Sequence, residues 1–215
     1  MLYKNSQVQS NFLADVLGGL SLKPKRLDSK YFYDSRGSAL FEKITKLDEY
    51  YLTNAEISIL ETYGGAMATY IENGATLIDY GCGSLLKVRT LLQFFDRVSV
   101  LIPLDISESV VSQAKQVINL FHPNINVLPI VADFTKKVEI GSTVLKGSQL
   151  IAFFPGSTIG NFMPNQVNKF LKLIAKTIGN GGLLIVGVDL KKDSQIIQAA
   201  YNDKKGVTAS FNKNI

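Results

Sequence analysis

Two closely spaced glycines, Gly81 and Gly83, follow one short apolar run and precede another with helical spacing. Glycine allows a tight turn and a close approach by a ligand, and the start of the following helix offers free N–H groups and a positive dipole end. Dinucleotides and S-adenosylmethionine (SAM) both use such loops. The dinucleotide fingerprint requires a third glycine where this sequence has Leu86, so the loop favours SAM. A plain tight turn is the alternative interpretation.

Two aspartates end the next two apolar runs. Asp105 stands ~20 positions after the glycines, where a carboxylate can accept hydrogen bonds from both ribose hydroxyls. Its alternative role is a helix N-cap, although Ser107 can serve there. Asp133 can accept from the exocyclic amine of adenine, and Phe134 can pack against the ring. Together with the glycines, these strand ends predict one SAM-binding crevice at the carboxyl edge of a sheet.

The loop after the fourth apolar run, residues 154–162, is where such enzymes place the acceptor. It lacks the Asn-Pro-Pro-aromatic stretch typical of enzymes that methylate adenine in nucleic acids. Instead it offers hydroxyls, Gly156 and Asn161, whose amide can both donate to a carboxylate and accept from an amine. The alternative is that Asn161 only caps a helix that begins at residue 163.

The elements that must position these residues alternate along the chain. Helical stretches at 85–96, 107–121 and 163–179 separate the apolar runs at 76–80, 98–105, 125–131, 150–154 and 183–190. This pattern predicts a parallel sheet covered on both faces, an α/β, Rossmann-like doubly wound domain.

In the segments before and after this pattern, apolar residues recur at helical spacing. Residues 8–20 and 36–47 predict helices, and Thr53 followed by Glu56 predicts a capping box that opens a third. A further helix at about 194–202 precedes a capped turn at Thr208. We therefore expect an N-terminal helical lobe over 1–65, a SAM-binding domain over 66–192 and the start of a substrate lobe over 193–215.

Composition narrows the class of protein. The 215 residues carry a net charge of +5, one cysteine and one histidine, so we expect neither a disulfide framework nor a metal site. The basic residues are scattered without interleaved aromatics, which argues against a nucleic-acid partner. No apolar run reaches the ~18 residues of a membrane span, and the N-terminus has no secretory pattern. We expect a cytoplasmic protein that acts on a small molecule.

Several sequence blocks, in order, resemble the histidine-specific Nα-methyltransferases of ergothioneine biosynthesis. They are YFYDSRGS (31–38), LF (40–41), LDEYYLTNAE (47–56), GSTIGN (156–161), GVDL (187–190), AYND (200–203) and GVTA (206–209). The resemblance covers residues from about 12 to the end. It implies SAM-dependent methylation of the α-amino group of histidine. Methylation of another amino acid or amine, a SAM-binding but catalytically idle fragment, and a dinucleotide-dependent oxidoreductase are the alternatives.

The resemblance also implies residue roles. Tyr33 would orient the amine, and Asn161 and Tyr201 would hold the substrate carboxylate, so Tyr33 and Asn161 are the expected catalytic residues. The rest of the acceptor pocket is expected from Phe41, Tyr50 and Gly156, and the SAM site from Gly81, Gly83, Lys87, Asp105, Asp133 and Phe134.

The sequence departs from the family at two places. Cys82 and Leu86 differ from the usual serine and glutamate of the glycine loop, and the sequence ends at Ile215, before two strands and further substrate residues of the family. We therefore expect a sheet without its last two strands. The uncovered edge strand at 183–190 predicts pairing with a second copy of the chain as a homodimer.

Overall fold

A computed structural model describes residues 3–4, 12–141 and 147–214. The helices in this part of the chain are α1 (Phe12–Ser21), α2 (Ser35–Ile44), α3 (Tyr51–Ala68), α4 (Leu86–Leu92), α5 (Glu108–Asn119), α6 (Pro164–Ile178), α7 (Ser194–Tyr201) and α8 (Val207–Asn212). Short 3-10 helices span Ser29–Phe32 and Thr158–Asn161. The strands are β1 (Tyr3–Lys4), β2 (Ala75–Tyr80), β3 (Val98–Asp105), β4 (Asn126–Val127), β5 (Ile130–Val131), β6 (Leu150–Phe154) and β7 (Leu183–Val186).

The described strands form one parallel sheet in the order β1-β5-β3-β2-β6-β7, with β4 also paired to β3. Strand β2 is central: Leu77 lies opposite Leu101 of β3 and Ile151 of β6. All six residues of β2 are buried, as expected for a parallel strand covered on both faces. The predicted α/β, Rossmann-like class is confirmed.

Side chains alternate between the two faces of the sheet. Leu77, Leu101 and Phe153 pack with α4 and α5 in one cluster, whereas Phe154 packs with Phe170 of α6 on the other face. Each fully buried side chain of this size contributes about 1.5–3 kcal/mol to folding. Two apolar layers therefore hold the sheet, and the carboxyl ends of its strands share one edge.

A third apolar cluster joins the two ends of the described chain. Ile44 and Tyr50 from the N-terminal helices pack with Ala200 of α7 and Phe211 of α8. Helix α8 begins where Asp203 accepts hydrogen bonds from the Val207 and Thr208 N–H groups, at 2.9 and 2.7 Å. The residues after 193 thus pack on the N-terminal helices. The predicted domain boundaries stay predictions.

Several predicted elements differ in their bounds. Helix α3 begins at Tyr51, so Thr53 lies inside it and the predicted capping box is wrong. The predicted strand 125–131 is split into β4 and β5, because Pro129 between them has no N–H to continue the ladder. Strand β7 ends at Val186 rather than residue 190, and residues 207–212 form a helix rather than a turn. The short strand β1 was not predicted, and residues 8–11 of the first predicted helix lie outside the described residues.

None of the described helices is long and apolar enough to cross a lipid bilayer.

Candidate functional site

The glycine loop turns directly after β2. Gly81 and Gly83 have φ angles of +79° and +48°, which favour glycine, and the Gly81 N–H donates to the Leu104 carbonyl oxygen at 2.8 Å. A Cβ atom at Gly81 would lie 3.4 Å from the Phe134 ring. The loop therefore keeps its backbone close to the ends of the neighbouring strands, as the ligand-binding interpretation requires.

Asp105 fixes the end of β3 to the glycine loop. One carboxylate oxygen accepts from the Ser107 N–H at 3.0 Å, and the other accepts from the Gly83 N–H at 3.2 Å. Burial raises the pKa of Asp105, and the two N–H donors oppose that shift. Ser107 is the N-cap of α5, but its hydroxyl makes no capping bond to a helix N–H, so Asp105 braces both the helix start and the loop.

Asp133 lies beyond β5, and each of its carboxylate oxygens has at least one partner. Oδ1 accepts from the Thr135 N–H at 3.0 Å and from its hydroxyl at 2.5 Å, and Oδ2 lies 3.2 Å from the Lys30 ammonium. The adjacent Phe134 ring packs edge-on against Tyr80 and Phe154, with centroids 6.4 and 5.7 Å apart. The turn after β5 is therefore rigidly held.

These strand ends open into a cleft of about 540 Å³ between the sheet and the N-terminal helices. Its walls include seven of the predicted site residues: Tyr33, Gly81, Gly83, Asp105, Asp133, Phe134 and Asn161. The cleft thus brings five of the six predicted cofactor residues, all but Lys87, together with the two predicted catalytic residues. No group of three His, Cys, Asp or Glu side chains among the described residues could hold a metal ion.

The predicted acceptor aromatics form a cluster beside this cleft. Tyr33 packs edge-on against Phe41 at 5.5 Å between ring centroids, Phe41 against Tyr50 at 6.2 Å, and Tyr50 against Tyr201 at 5.9 Å. Burial raises the pKa of Tyr33, with the charge of Asp105 adding to it, and burial likewise raises the pKa of Tyr50. Both phenols are therefore neutral at physiological pH.

Asn161 ends the 3-10 helix at the cleft wall. Its side chain makes no hydrogen bond to any part of the chain that the structure describes. Helix α6 has Met163 as its N-cap, so the alternative interpretation of Asn161 as a cap is wrong. The amide is free to face a ligand.

Lys87 and Gly156 meet at a carboxylate that the sequence did not single out for this role. Glu56 of α3 accepts the Gly156 N–H with both oxygens at 2.9 Å, and its Oε2 lies 2.6 Å from the Lys87 ammonium. A Cβ atom at Gly187 would lie 1.9 Å from Glu56 Oε1, so any side chain there would push Glu56 out of this position. Gly156 and Glu56 also line a smaller cleft of about 290 Å³ beside β7.

Asp79, at the end of β2, is a second carboxyl group that sequence reasoning gave no role. It is 1% exposed, and its Oδ1 has no hydrogen-bond partner among the described residues. Burial raises the pKa of Asp79 to about 8, the charges of Asp105 and Glu56 add to the shift, and Lys87 opposes it. Its position directly before the glycine loop was the only signal in the sequence.

Comparison with known proteins shows the family to which this chain belongs. The model of the family described as histidine-specific methyltransferase, SAM-dependent, matches residues 12–215. The chain belongs to this family. In this member of the histidine-specific methyltransferase family, the cleft lies where the glycine loop and both aspartates meet the N-terminal lobe.

Relatives agree with the family assignment, and a solved structure agrees with the fold. The chain is 38% identical to the histidine N-alpha-methyltransferase of Mycolicibacterium smegmatis over 204 residues, which cover 94% of this chain and 62% of that protein. It is 35% identical to ergothioneine biosynthesis protein 1 of Neurospora crassa over 87% of this chain and 22% of that protein. The plantazolicin methyltransferase BpumL, solved with SAH, has a similar fold: TM-score 0.54 and 14% identity, covering 86% of this chain and 66% of that one. This family member thus spans about three fifths of its M. smegmatis relative.

Proposed function

We propose that this chain binds SAM and transfers its methyl group to the α-amino group of histidine. One observation carries the proposal: a single cleft joins the glycine loop, Asp105 and Asp133 to Tyr33 and Asn161. The first three features suit a nucleoside with a charged amino-acid tail, and the last two suit an amino acid. Family membership supports the same reaction.

The residues at the strand ends fit the cofactor. Gly81 leaves its backbone open to a close approach, the Asp105 carboxylate can accept from ribose hydroxyls, and Asp133 with Phe134 can receive adenine. Lys87 and Gly83 complete the set that would hold it. When bound, SAM supplies an electrophilic methyl group on a sulfonium.

The acceptor residues would position the amine. An amine must be neutral to attack, because an ammonium has no lone pair. The neutral Tyr33 phenol can accept from the amine and orient its lone pair, while Asn161 can donate to the carboxylate of the same molecule. Phe41, Tyr50, Gly156 and Tyr201 would complete the pocket. Positioning and exclusion of water supply the rate, and no strong general base is required.

Calorimetry on this chain tests the proposal in two steps: titration with SAM or its demethylated product SAH, then with histidine in the presence of SAH. We expect heat in both titrations. Absence of SAM and SAH binding to a chain that circular dichroism shows to be folded would overturn the proposal.

A second candidate is a chain that binds SAM but does not complete its acceptor pocket. Two observations favour it: Tyr201 is 50% exposed, and the match spans 62% of the M. smegmatis protein. Binding of SAH without any heat from histidine would favour this candidate. Heat from another amino acid or amine, but not from histidine, would instead indicate a different acceptor for the same methyl-transfer reaction.

The predicted homodimer belongs to the same proposal. Within the described residues β7 is an edge strand, and Leu184 and Val186 are each 37% exposed there. An open apolar edge can pair with another chain. Light scattering should give the mass of two chains, and the mass of one chain would contradict the dimer. The cytoplasmic location stays a prediction.

A further inference from the structure

Lys30 reaches the adenine end of the cleft from outside the sheet. It lies in the 3-10 helix Ser29–Phe32 of the N-terminal lobe, and its side chain is only 19% exposed. Its ammonium lies 3.2 Å from Asp133 Oδ2 and 3.2 Å from Asp15 Oδ2, with Asp28 Oδ2 at 3.9 Å. The residue also forms part of the wall of the 540 Å³ cleft.

The two oxygens of Asp133 are not equivalent. Because the Thr135 N–H and hydroxyl both donate to Oδ1, Oδ2 is the oxygen available to a ligand. A carboxylate oxygen has two lone-pair sites, so Oδ2 can keep Lys30 and still accept one more N–H. An ammonium has three N–H donors, and only two of the carboxylates lie within 3.5 Å of Lys30. The third donor is not taken by a carboxylate at this distance, and although the Tyr31 hydroxyl is also a neighbour of the ammonium, that donor can turn to a ring nitrogen beside the shared oxygen.

We propose that Lys30 is a cofactor-binding residue that shares Asp133 Oδ2 with the exocyclic amine of adenine and donates to an adjacent ring nitrogen. The proposal rests on the proposed function, since it assumes adenine at Asp133. It adds to the strand-end residues a ligand contact contributed by the N-terminal lobe.

The Lys30 side chain keeps its positive charge in this environment. Burial opposes the ammonium, but the carboxylates of Asp133 and Asp15 outweigh it and raise the pKa of Lys30 above its usual value. The Asp15 carboxylate is itself held by the Tyr31 hydroxyl at 2.5 Å. Lys30 therefore remains charged and fixed across the pH range in which such an enzyme works.

Lys30 also connects the two halves of the site. The Tyr33 N–H donates to the Lys30 carbonyl oxygen at 3.2 Å, and the Tyr33 ring lines the same cleft. A ligand that contacts Lys30 would therefore order the turn that carries Tyr33. Cofactor binding should thus slow hydrogen exchange at residues 29–33 as well as in the glycine loop.

The experiment compares SAH binding by the wild-type chain and by Lys30→Met, Lys30→Arg and the control Lys43→Met, which removes a charge from the exposed face of α2. Loss of a charge-assisted contact predicts affinity about tenfold lower or more in Lys30→Met. Lys30→Arg should stay within about threefold of wild type because it keeps the charge, and Lys43→Met should be unchanged. Hydrogen exchange should show SAH protecting residues 29–33 and 81–86 in wild type, but only 81–86 in Lys30→Met.

Each outcome decides the role of Lys30. Unchanged or tighter SAH binding by Lys30→Met, or wild-type protection confined to 81–86, would overturn the proposal while the proposed function stands. A wild-type chain that binds no SAH would overturn both. Should Lys30→Met fail to fold, Lys30→Gln keeps a polar side chain, one atom shorter and without the charge, and the same loss of protection at 29–33 is expected.

Discussion

The buried Asp79 carboxyl should make stability depend on pH. Its pKa of about 8 exceeds the unfolded value of about 3.9, so the folded chain holds a proton that the unfolded chain releases. This contribution is fully present below pH ~4 and is lost as pH rises through 8, at up to about 1.4 kcal/mol per pH unit. We expect Asp79→Asn to lose less unfolding free energy between pH 6 and 8.5 than wild type in urea titrations.

Asp96→Asn is the matched control, because Asp96 is exposed. Its pH dependence should follow that of wild type. Parallel curves for wild type and Asp79→Asn would mean that Asp79 keeps an ordinary pKa.

Asn161 should act on the acceptor alone. Its amide faces the cleft without a partner in the described chain, and the predicted cofactor contacts come from other residues. Asn161→Ala should lower histidine affinity about tenfold, the effect of one lost hydrogen bond to a charged group, while SAH affinity stays unchanged. Calorimetry measures both, with Asn168→Ala on α6 as the control. Equal losses for both ligands would contradict the assignment.

At the scale of elements, Glu56 ties helix α3 to the loop after β6. Its carboxylate binds the Gly156 N–H and Lys87 and is mostly buried. Glu56→Ala leaves a buried cation and an N–H without their partner, so we expect a loss of about 2–4 kcal/mol of unfolding free energy.

Urea unfolding measures this loss. Glu56→Gln should lose less, because the amide oxygen can still accept the Gly156 N–H. Substitution of the exposed Glu61 in the same helix should have little effect. A Glu56→Ala chain as stable as wild type would show that the Glu56 contacts contribute nothing net.

The sequence predicted those elements and site residues whose position follows from the local order of the chain. Continuous apolar runs predicted β2, β3 and β6 within a residue, because a buried parallel strand is apolar over most of its length. The glycine loop and the strand-end aspartates followed from that order of elements. Glu56 and Lys30 could not be assigned, since their partners Gly156 and Asp133 lie 100 and 103 residues away. For Glu56, a local capping pattern with Thr53 gave the wrong interpretation.

At the scale of the whole molecule, Phe211 joins the last described helix to the first lobe. Its ring lies 5.2 Å from that of Phe32, 5.3 Å from that of Tyr33 and 5.8 Å from that of Phe41. Phe211→Ala should cost about 3–5 kcal/mol of unfolding free energy through the cavity it leaves.

Because Phe211 does not line the cofactor cleft, the folded fraction of Phe211→Ala should bind SAH nearly as wild type does and histidine more weakly. Calorimetry at a temperature below the unfolding transition separates the two effects. Loss of SAH binding with histidine binding intact would contradict this division of the site. Phe211→Leu, which fills much of the cavity, should restore most of the stability.

Contacts between residues far apart in the chain also limit the order in which parts of the protein can fold during synthesis. The Asn214 side chain donates to the Phe32 carbonyl oxygen and to Asp34, across about 180 residues of chain. Ribosomes add about 5–20 residues per second, so on the order of ten seconds pass between the appearance of Tyr33 and that of its partner Phe211. The nascent sheet can assemble during this interval, whereas the aromatic cluster must wait. Tyr33 is therefore made well before Phe211, the residue whose ring completes its packing.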